Sequence, residues 1–300
     1  TDQHEFAVIE MGADRHGEIR FSASTAKPNI ALITNANDAH VEGFGSLAGI
    51  VEAKGEIIDA TNLTGRLVLN YDDANVKTWV ARAESRVIKK FSVHSSNAEY
   101  FASNVCLGPE GTAEFTLNTP LGSQTIKLRL LGSHNVINAV AASAAAMEAG
   151  ANPSHVKTGL ESVQPVTGRL SLTKGIKQCK LLDDTYNASP SSFRAAIDVF
   201  KFFPGEKVLV AGDMRELGIK SEEFHRQIGE YAANSGIERL YAIGDKSRHM
   251  VRAFGSGAKH FSSRTELIDE CREIAASNLA FLIKGSRGSR MEAVMQKLRI

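Results

Sequence analysis

Two kinds of apolar pattern alternate along the chain. Residues 6–9 (Phe-Ala-Val-Ile) and 30–33 (Ile-Ala-Leu-Ile) are unbroken apolar runs ending in polar residues. A strand covered on both faces shows no polar alternation, so both runs predict buried parallel strands, with a helix between them around residues 17–24. Leu47, Ile50, Val51, Lys54 and Ile58 recur at three- to four-residue spacing, which predicts a helix that Ser46 is placed to cap. From Arg66 to about Leu131 the chain changes to short segments rich in Val, Phe, Tyr and Thr, broken by Asn-Tyr-Asp-Asp, Gly-Pro-Glu-Gly and Pro-Leu-Gly. That pattern predicts antiparallel strands joined by tight turns. Gly132-Ser133-His134-Asn135 then opens an Ala-rich helix that stops at Gly150.

After Pro165-Val166-Thr167-Gly168 the rhythm becomes regular. Strands are expected at 180–182, 208–211, 240–243 and 280–283, alternating with helices near 190–203, 221–235, 264–277 and 288–299. Such alternation predicts a doubly wound α/β domain. The fold class is therefore α/β throughout: a first domain over residues 1–165, mostly parallel sheet plus an antiparallel section, and a Rossmann-like second domain over 166–300.

Composition narrows the functional classes. With 35 basic and 34 acidic side chains the formal charge is +1, so no global field recruits nucleic acid or an anionic membrane, and any anion must be bound locally. Neither a nucleic-acid partner nor membrane insertion is expected, since no apolar run approaches the length of a membrane span. Three cysteines, Cys106, Cys179 and Cys271, fit neither a disulfide framework nor a zinc site, and a reducing cytoplasm suits them.

In open α/β sheets ligands collect beyond the carboxyl ends of the strands, which gives the residues after each apolar run their weight. The first run delivers Glu10, and the second delivers Thr34, Asn35 and then His40. These are either a magnesium edge or loop residues bonded to nearby backbone. Lys54 fits a metal poorly as a cation, because only roughly one molecule in 10³ is neutral at pH 7 at an unperturbed pKa. Unmodified, it is a phosphate clamp or a solvated side chain. Ser133, His134 and Asn135 stand where a helix start leaves N–H groups open, suited to an anion, a polar ring or a simple cap. Asp183 and Asp184 follow a buried strand, as ribose-binding carboxylates do in dinucleotide folds and as many Asp-rich turns do. Lys284, Arg287 and Arg290 lie at the last helix start, as an anion site or a solvated basic turn. No G-x-x-x-x-G-K-[ST] loop and no strand-following G-x-G-x-x-G occurs in the chain.

Taken in order, "VIEMGA…GEI", "ITNANDAHVEGFGSLAGIVEAKGEI", "GSHNVINAVAA", "LLDDTYNASPSS", "VAGDMRELG" and "IKGSRGSRMEAV" resemble the Mur ligase family across the whole chain. The resemblance is to its central and C-terminal domains, and most closely to the branch that adds D-Ala-D-Ala to the UDP-MurNAc-tripeptide of peptidoglycan synthesis. Asp14 and Arg15 depart from that branch's usual "EMGANxxGEI". The resemblance implies an ATP-dependent amide-bond ligase of the cytoplasm, proceeding through an acyl phosphate with magnesium and fixed cations stabilising the transferring oxygens. It also implies a preceding domain that binds the uridine nucleotide and a phosphate loop ahead of Thr1, so a truncated, inactive portion is expected.

Carried over by position, the resemblance makes Glu10 and His40 magnesium ligands and Lys54 a carbamylated lysine, with Lys54, His40 and Arg169 the catalytic set. Asn135 is expected near the base, Arg169 at the phosphates, Asp184 at the ribose and Asn187 beside it, with domain closure joining the two groups. Lys284, Ser286 and Arg287 are expected at the D-Ala-D-Ala carboxylate. The competing readings are another Mur-type ligase, a folylpolyglutamate- or cyanophycin-type synthetase, and a non-catalytic nucleotide- or partner-binding module.

Overall fold

A computed structural model describes residues 3–37 and 41–300. The chain forms two compact units. The first comprises Thr1–Ser103, Leu117–Gln124 and Ile137–Val156, and the second Asn104–Thr116, Thr125–Val136 and Lys157–Ile300.

The first part of the chain runs α1 (Glu18–Ala26), β1 (Ile30–Ile33), α2 (Val41–Phe44), α3 (Leu47–Ala60), β2 (Arg66–Asn70), α4 (Val76–Arg82) and β3 (Val87–Ser92). It continues through β4 (Tyr100–Leu107), β5 (Thr112–Thr119), β6 (Gly122–Leu131), α5 (His134–Glu148) and α6 (Pro153–Ser162). Its sheet has the sequential order β1-β2-β3-β4-β5-β6. Ala31, Ile33, Leu67 and Leu69 pack with Ile50, Val51 and Ile58 of α3 and Trp79 of α4. Trp79 is fully buried and its indole N–H donates to the Val51 carbonyl at 3.0 Å, which satisfies the one polar atom the ring brings inside.

Two expectations are corrected here. Residues 6–9 form no strand, and Phe6, Val8 and Ile9 are exposed. An apolar tetrapeptide states a preference for burial, whereas a strand also needs a partner that takes its hydrogen bonds, and residues 6–9 pair with no described strand. From Arg66 onward the chain is also not antiparallel at once. β2 pairs in parallel with β1 and β3, and β3 with β4 at Phe91↔Tyr100. Between β2 and β3 the crossover a parallel pair requires is α4, in a stretch the sequence pattern counts among the strand segments. The tight-turn pattern begins at β4, where Gly108 N–H donates to the Thr112 carbonyl. The Ser46 cap forms as expected, accepting from Gly49 N–H at 3.1 Å.

The remaining chain follows the regular rhythm: β7 (Ser171–Lys174), β8 (Lys180–Asp184), α7 (Pro190–Phe200), β9 (Glu206–Gly212), α8 (Ser221–Asn234), β10 (Arg239–Ile243), α9 (Ser247–Phe254), β11 (Ala258–Phe261), α10 (Arg264–Ile274), β12 (Leu279–Lys284) and α11 (Glu292–Leu298). The four expected strands and four expected helices are present. β7, α9 and β11 were not foreseen, because four-residue edge strands and an eight-residue helix carry too few periods to stand out.

This sheet has the order β11-β10-β9-β12-β8-β7, all parallel pairs except the antiparallel edge strand β7. Alternate strand residues sort onto two cores. Leu182, Leu209, Leu240 and Leu282 pack with α7, α8 and α9 through Phe193, Phe200, Ile228 and Met250. Leu181, Val208, Phe281 and Ile283 pack with α10 and α11 through Leu267, Val294 and Leu298. Burial on both faces is why these strands read as continuous apolar runs.

Candidate functional site

In the second unit β12 sits between β8 and β9, so strands that follow one another in sequence are separated in space. At such a switch of strand order, chains diverge to opposite faces and leave a crevice beyond the carboxyl ends. The residues delivered there are Asp184 from β8, Gly212 and Asp213 from β9, and Lys284 from β12. α7 starts beside them with a reciprocal cap: Ser189 Oγ accepts from Ser192 N–H, Ser192 Oγ accepts from Ser189 N–H, and Pro190 occupies the first turn.

Register aligns Lys284 with Asp184 on neighbouring strands. Lys284 Nζ lies 2.5 Å from Asp184 Oδ2 and 2.9 Å from the Asn187 carbonyl, and 5.5 Å from the Phe193 ring centroid. Burial pushes the Lys284 ammonium down from its usual range, against the opposing pull of Asp184. Asp184 Oδ1 accepts from Leu170 N–H at 3.2 Å, and Asn187 Oδ1 accepts from Ala188 N–H at 2.8 Å. Asp183 turns inward to Thr185. His134 is near enough to this ion pair for both charges to act on it, though burial is the main cause that lowers its pKa. Asn135 donates to the Leu131 carbonyl at 2.8 Å.

Ser286 stitches two loops together: its N–H donates to the Asp213 carbonyl, its Oγ accepts from Arg215 N–H at 2.8 Å, and it is almost fully buried. Arg287 is exposed. Its guanidinium and that of Arg169 lie 5.6 and 4.2 Å from the Tyr186 ring centroid. Tyr186, Arg287, Thr185, Glu292 and Arg299 line a cavity of about 290 Å³. Sequence reasoning passed over Tyr186 and placed His134 only at a helix start. The signal for Tyr186 was present as a lone aromatic in the polar loop "DDTYNASP", whereas the nearness of His134 to Lys284 is set by folding alone.

In the first unit Glu10 and Lys54 occupy different kinds of position. Glu10 is exposed on a segment without regular structure, and His40 lies outside the described residues. Lys54 is half-buried on α3. Burial lowers its pKa, and Asp73 partly opposes the shift. Asp73 is itself held by Ala36 and Asn75 N–H groups, and Asn70 Nδ2 donates to the Thr34 carbonyl at 2.7 Å. The amides of Asp14 and Arg15 both donate to Glu18. Among the described residues no three His, Cys, Asp or Glu side chains gather as a metal site. No described helix is long and apolar enough to cross a membrane. Burial pushes the Cys271 thiol up to about 12, which keeps it protonated and unreactive.

Two family models match the chain: the Mur ligase middle domain over residues 1–146 and the Mur ligase glutamate ligase domain over residues 168–287. The chain belongs to the Mur ligase family. It is 41% identical over its full length to the UDP-N-acetylmuramoyl-tripeptide–D-alanyl-D-alanine ligase of Escherichia coli, covering 66% of that protein, and 33% identical to the Bacillus subtilis ligase of the same name, covering 64%. Among solved structures it is similar to MurF from Acinetobacter baumannii, with TM-score 0.92, 33% identity, and coverage of 99% of this chain and 65% of that one. MurF from Thermotoga maritima in complex with ADP matches with TM-score 0.85 and 26% identity, over 96% of this chain and 65% of that one. The chain thus spans slightly less than two thirds of the relatives it matches.

Proposed function

We propose that the chain forms the central and C-terminal parts, residues 1–165 and 166–300, of a cytoplasmic ATP-dependent ligase that joins D-Ala-D-Ala to UDP-MurNAc-tripeptide. The carrying observation is the 41% identity over the entire chain to a ligase of that name. In this reaction the tripeptide carboxylate takes the γ-phosphoryl group of ATP to give an acyl phosphate and ADP. The dipeptide amine attacks the acyl carbon, and the tetrahedral intermediate expels phosphate as the amide forms.

The second unit supplies the nucleotide-facing groups in this reading. Asp184 accepts from the ribose, Asn187 lies beside it, Arg169 meets the phosphates and Asn135 the base. The ADP complex of the Thermotoga maritima relative supports an adenine nucleotide as the ligand class. Ser286 and Arg287, with Lys284 behind them, border the place for the dipeptide carboxylate, where an exposed guanidinium offers a bidentate partner.

Magnesium, when bound, would offset the charge developing on the transferring oxygens. Glu10 brings the hard carboxylate oxygen such an ion prefers, His40 is proposed beside it, and Lys54 fits only as an anion. Its burial favours that change: a lowered pKa raises the share of neutral amine, which adds to carbon dioxide and releases a proton to give the carbamate. The protein supplied with ¹³C-bicarbonate is expected to show a carbamate carbon resonance that Lys54→Met removes. Phosphate release from ATP and UDP-MurNAc-tripeptide, measured in the whole enzyme with D-Ala-D-Ala and with single amino acids in turn, tests the reaction. Equal rates with a single amino acid would end the dipeptide reading.

A further inference from the structure

We propose that Lys284 is a positioning residue: its buried ammonium sets the orientation of the Asp184 carboxylate and of the loop at Asn187, and does not itself touch a substrate. The inference deepens the ligase reading and rests on it for what Asp184 holds.

Lys284 is only 1% exposed, and its ammonium has three near neighbours: Asp184 Oδ2 at 2.5 Å, the Asn187 carbonyl at 2.9 Å and the Phe193 ring face. An ammonium has three donors, so two oxygens and a ring face occupy it fully. A substrate carboxylate reaching Lys284 would have to displace Asp184 and leave that charge unpaired indoors. The acid, by contrast, has capacity to spare. Leu170 N–H and Lys284 take one bond on each oxygen of Asp184, a carboxylate offers about four lone-pair sites, and the side chain is 14% exposed. Asp184 is therefore the member of the pair that reaches outward.

Strand register makes the arrangement rigid. β12 and β8 place the two residues side by side at their last paired positions, although they lie 100 residues apart. An exposed aspartate rotates about two side-chain bonds, and that freedom is lost on binding. One held from behind by a buried cation has already lost it, so a vicinal diol of a nucleotide sugar meets a fixed acceptor.

The test uses the 300-residue chain, ¹⁵N-labelled and titrated separately with ADP and with D-Ala-D-Ala. Lys284→Met and Asp184→Asn are each expected to weaken ADP about tenfold, the usual order for a charged hydrogen bond, with dipeptide affinity unchanged. Lys284→Arg is expected to recover most of the loss. A purely structural role would lower thermal stability without this selectivity. Lys284→Met leaves Asp184 unpaired and is at risk of misfolding, whereas Asp184→Asn with Lys284→Met removes both charges. The double variant should bind ADP as Asp184→Asn does. A further loss in the double variant, or an effect of Lys284→Met on the dipeptide instead of ADP, overturns the proposal. Should the unaltered chain, which carries no G-x-x-x-x-G-K-[ST] loop, not bind ADP, the Leu170 amide still decides the positioning role. Faster amide exchange at Leu170 in Lys284→Met upholds it, and unchanged exchange overturns it.

Discussion

The two sheets differ in what their strand orders do with chemically similar residues. In the sheet β11-β10-β9-β12-β8-β7, an interposed strand brings Asp184 and Lys284 into register and buries their pairing. In the sheet β1 to β6 each strand lies beside its predecessor, and the polar residues at its carboxyl edge are spent on one another. Asn70 bonds the Thr34 carbonyl, Asp73 the Ala36 amide, and Asp72 the Val93 amide. Sequential order closes an edge with backbone and side-chain bonds, while a switch in order leaves a crevice whose polar groups can face a ligand. Glu10 belongs to neither pattern, being carried on an exposed segment.

The largest effects should come from the cores on which both edges rest. Trp79→Ala in the first unit and Phe193→Ala in the second each remove a fully buried ring and should each cost about 3–5 kcal/mol in denaturant unfolding. Phe193→Ala should also weaken ADP binding, because the ring backs Lys284, whereas Trp79→Ala should act on stability alone. Equal effects of the two on ligand affinity would erase the contrast drawn above.

A smaller loss tests how the first unit is held. α1 starts at Gly17 without a cap of its own, and the buried Glu56 of α3 accepts from the Gly17 and Arg20 amides instead. Glu56→Ala should cost about 2 kcal/mol by calorimetry or denaturation, with Glu56→Gln keeping part of it. Removing the ordinary caps, Ser46→Ala on α3 or Ser189→Ala on α7, should cost about 1 kcal/mol each.

The least effect at neutral pH belongs to His225. It is fully buried, its Nε2 accepts from Met214 N–H at 2.9 Å and its Nδ1 faces the Ser221 carbonyl at 2.6 Å, which fixes a neutral ring. Burial, the main cause, lowers its pKa in the fold below the usual 6.5. The unfolded chain therefore binds the proton first, so stability is full above about pH 6.5 and falls as pH drops from there toward the lower folded value. Unfolding midpoints between pH 7 and pH 5 should decline, and His225→Gln should flatten that part of the decline.

The Rossmann-like half was legible because burial on both faces writes its strands as continuous apolar runs, and Leu181-Leu182 or Val208-Leu209-Val210 admit few other readings. The run at residues 6–9 carries the same signature yet forms no strand, since pairing is a property of the partner edge. α4 was hidden among the strand segments because Asn-Tyr-Asp-Asp looks the same at a hairpin and ahead of a crossover helix. At the candidate site, Asp184, Asn187, Lys284, Ser286 and Arg287 were each singled out by their places after apolar runs or in family motifs. What escaped was their relation: Asp184 and Lys284, expected on separate ligands, share one ion pair.

The order of apolar runs, the turn residues and the family motifs were settled by the sequence alone, because each depends on neighbours a few positions away. Which strands lie side by side, and hence which carboxylate meets which ammonium, was settled only by the tertiary structure. Pairing between residues 184 and 284 is chosen by how two hydrophobic faces are covered at once, a condition on the whole sheet that no local stretch contains.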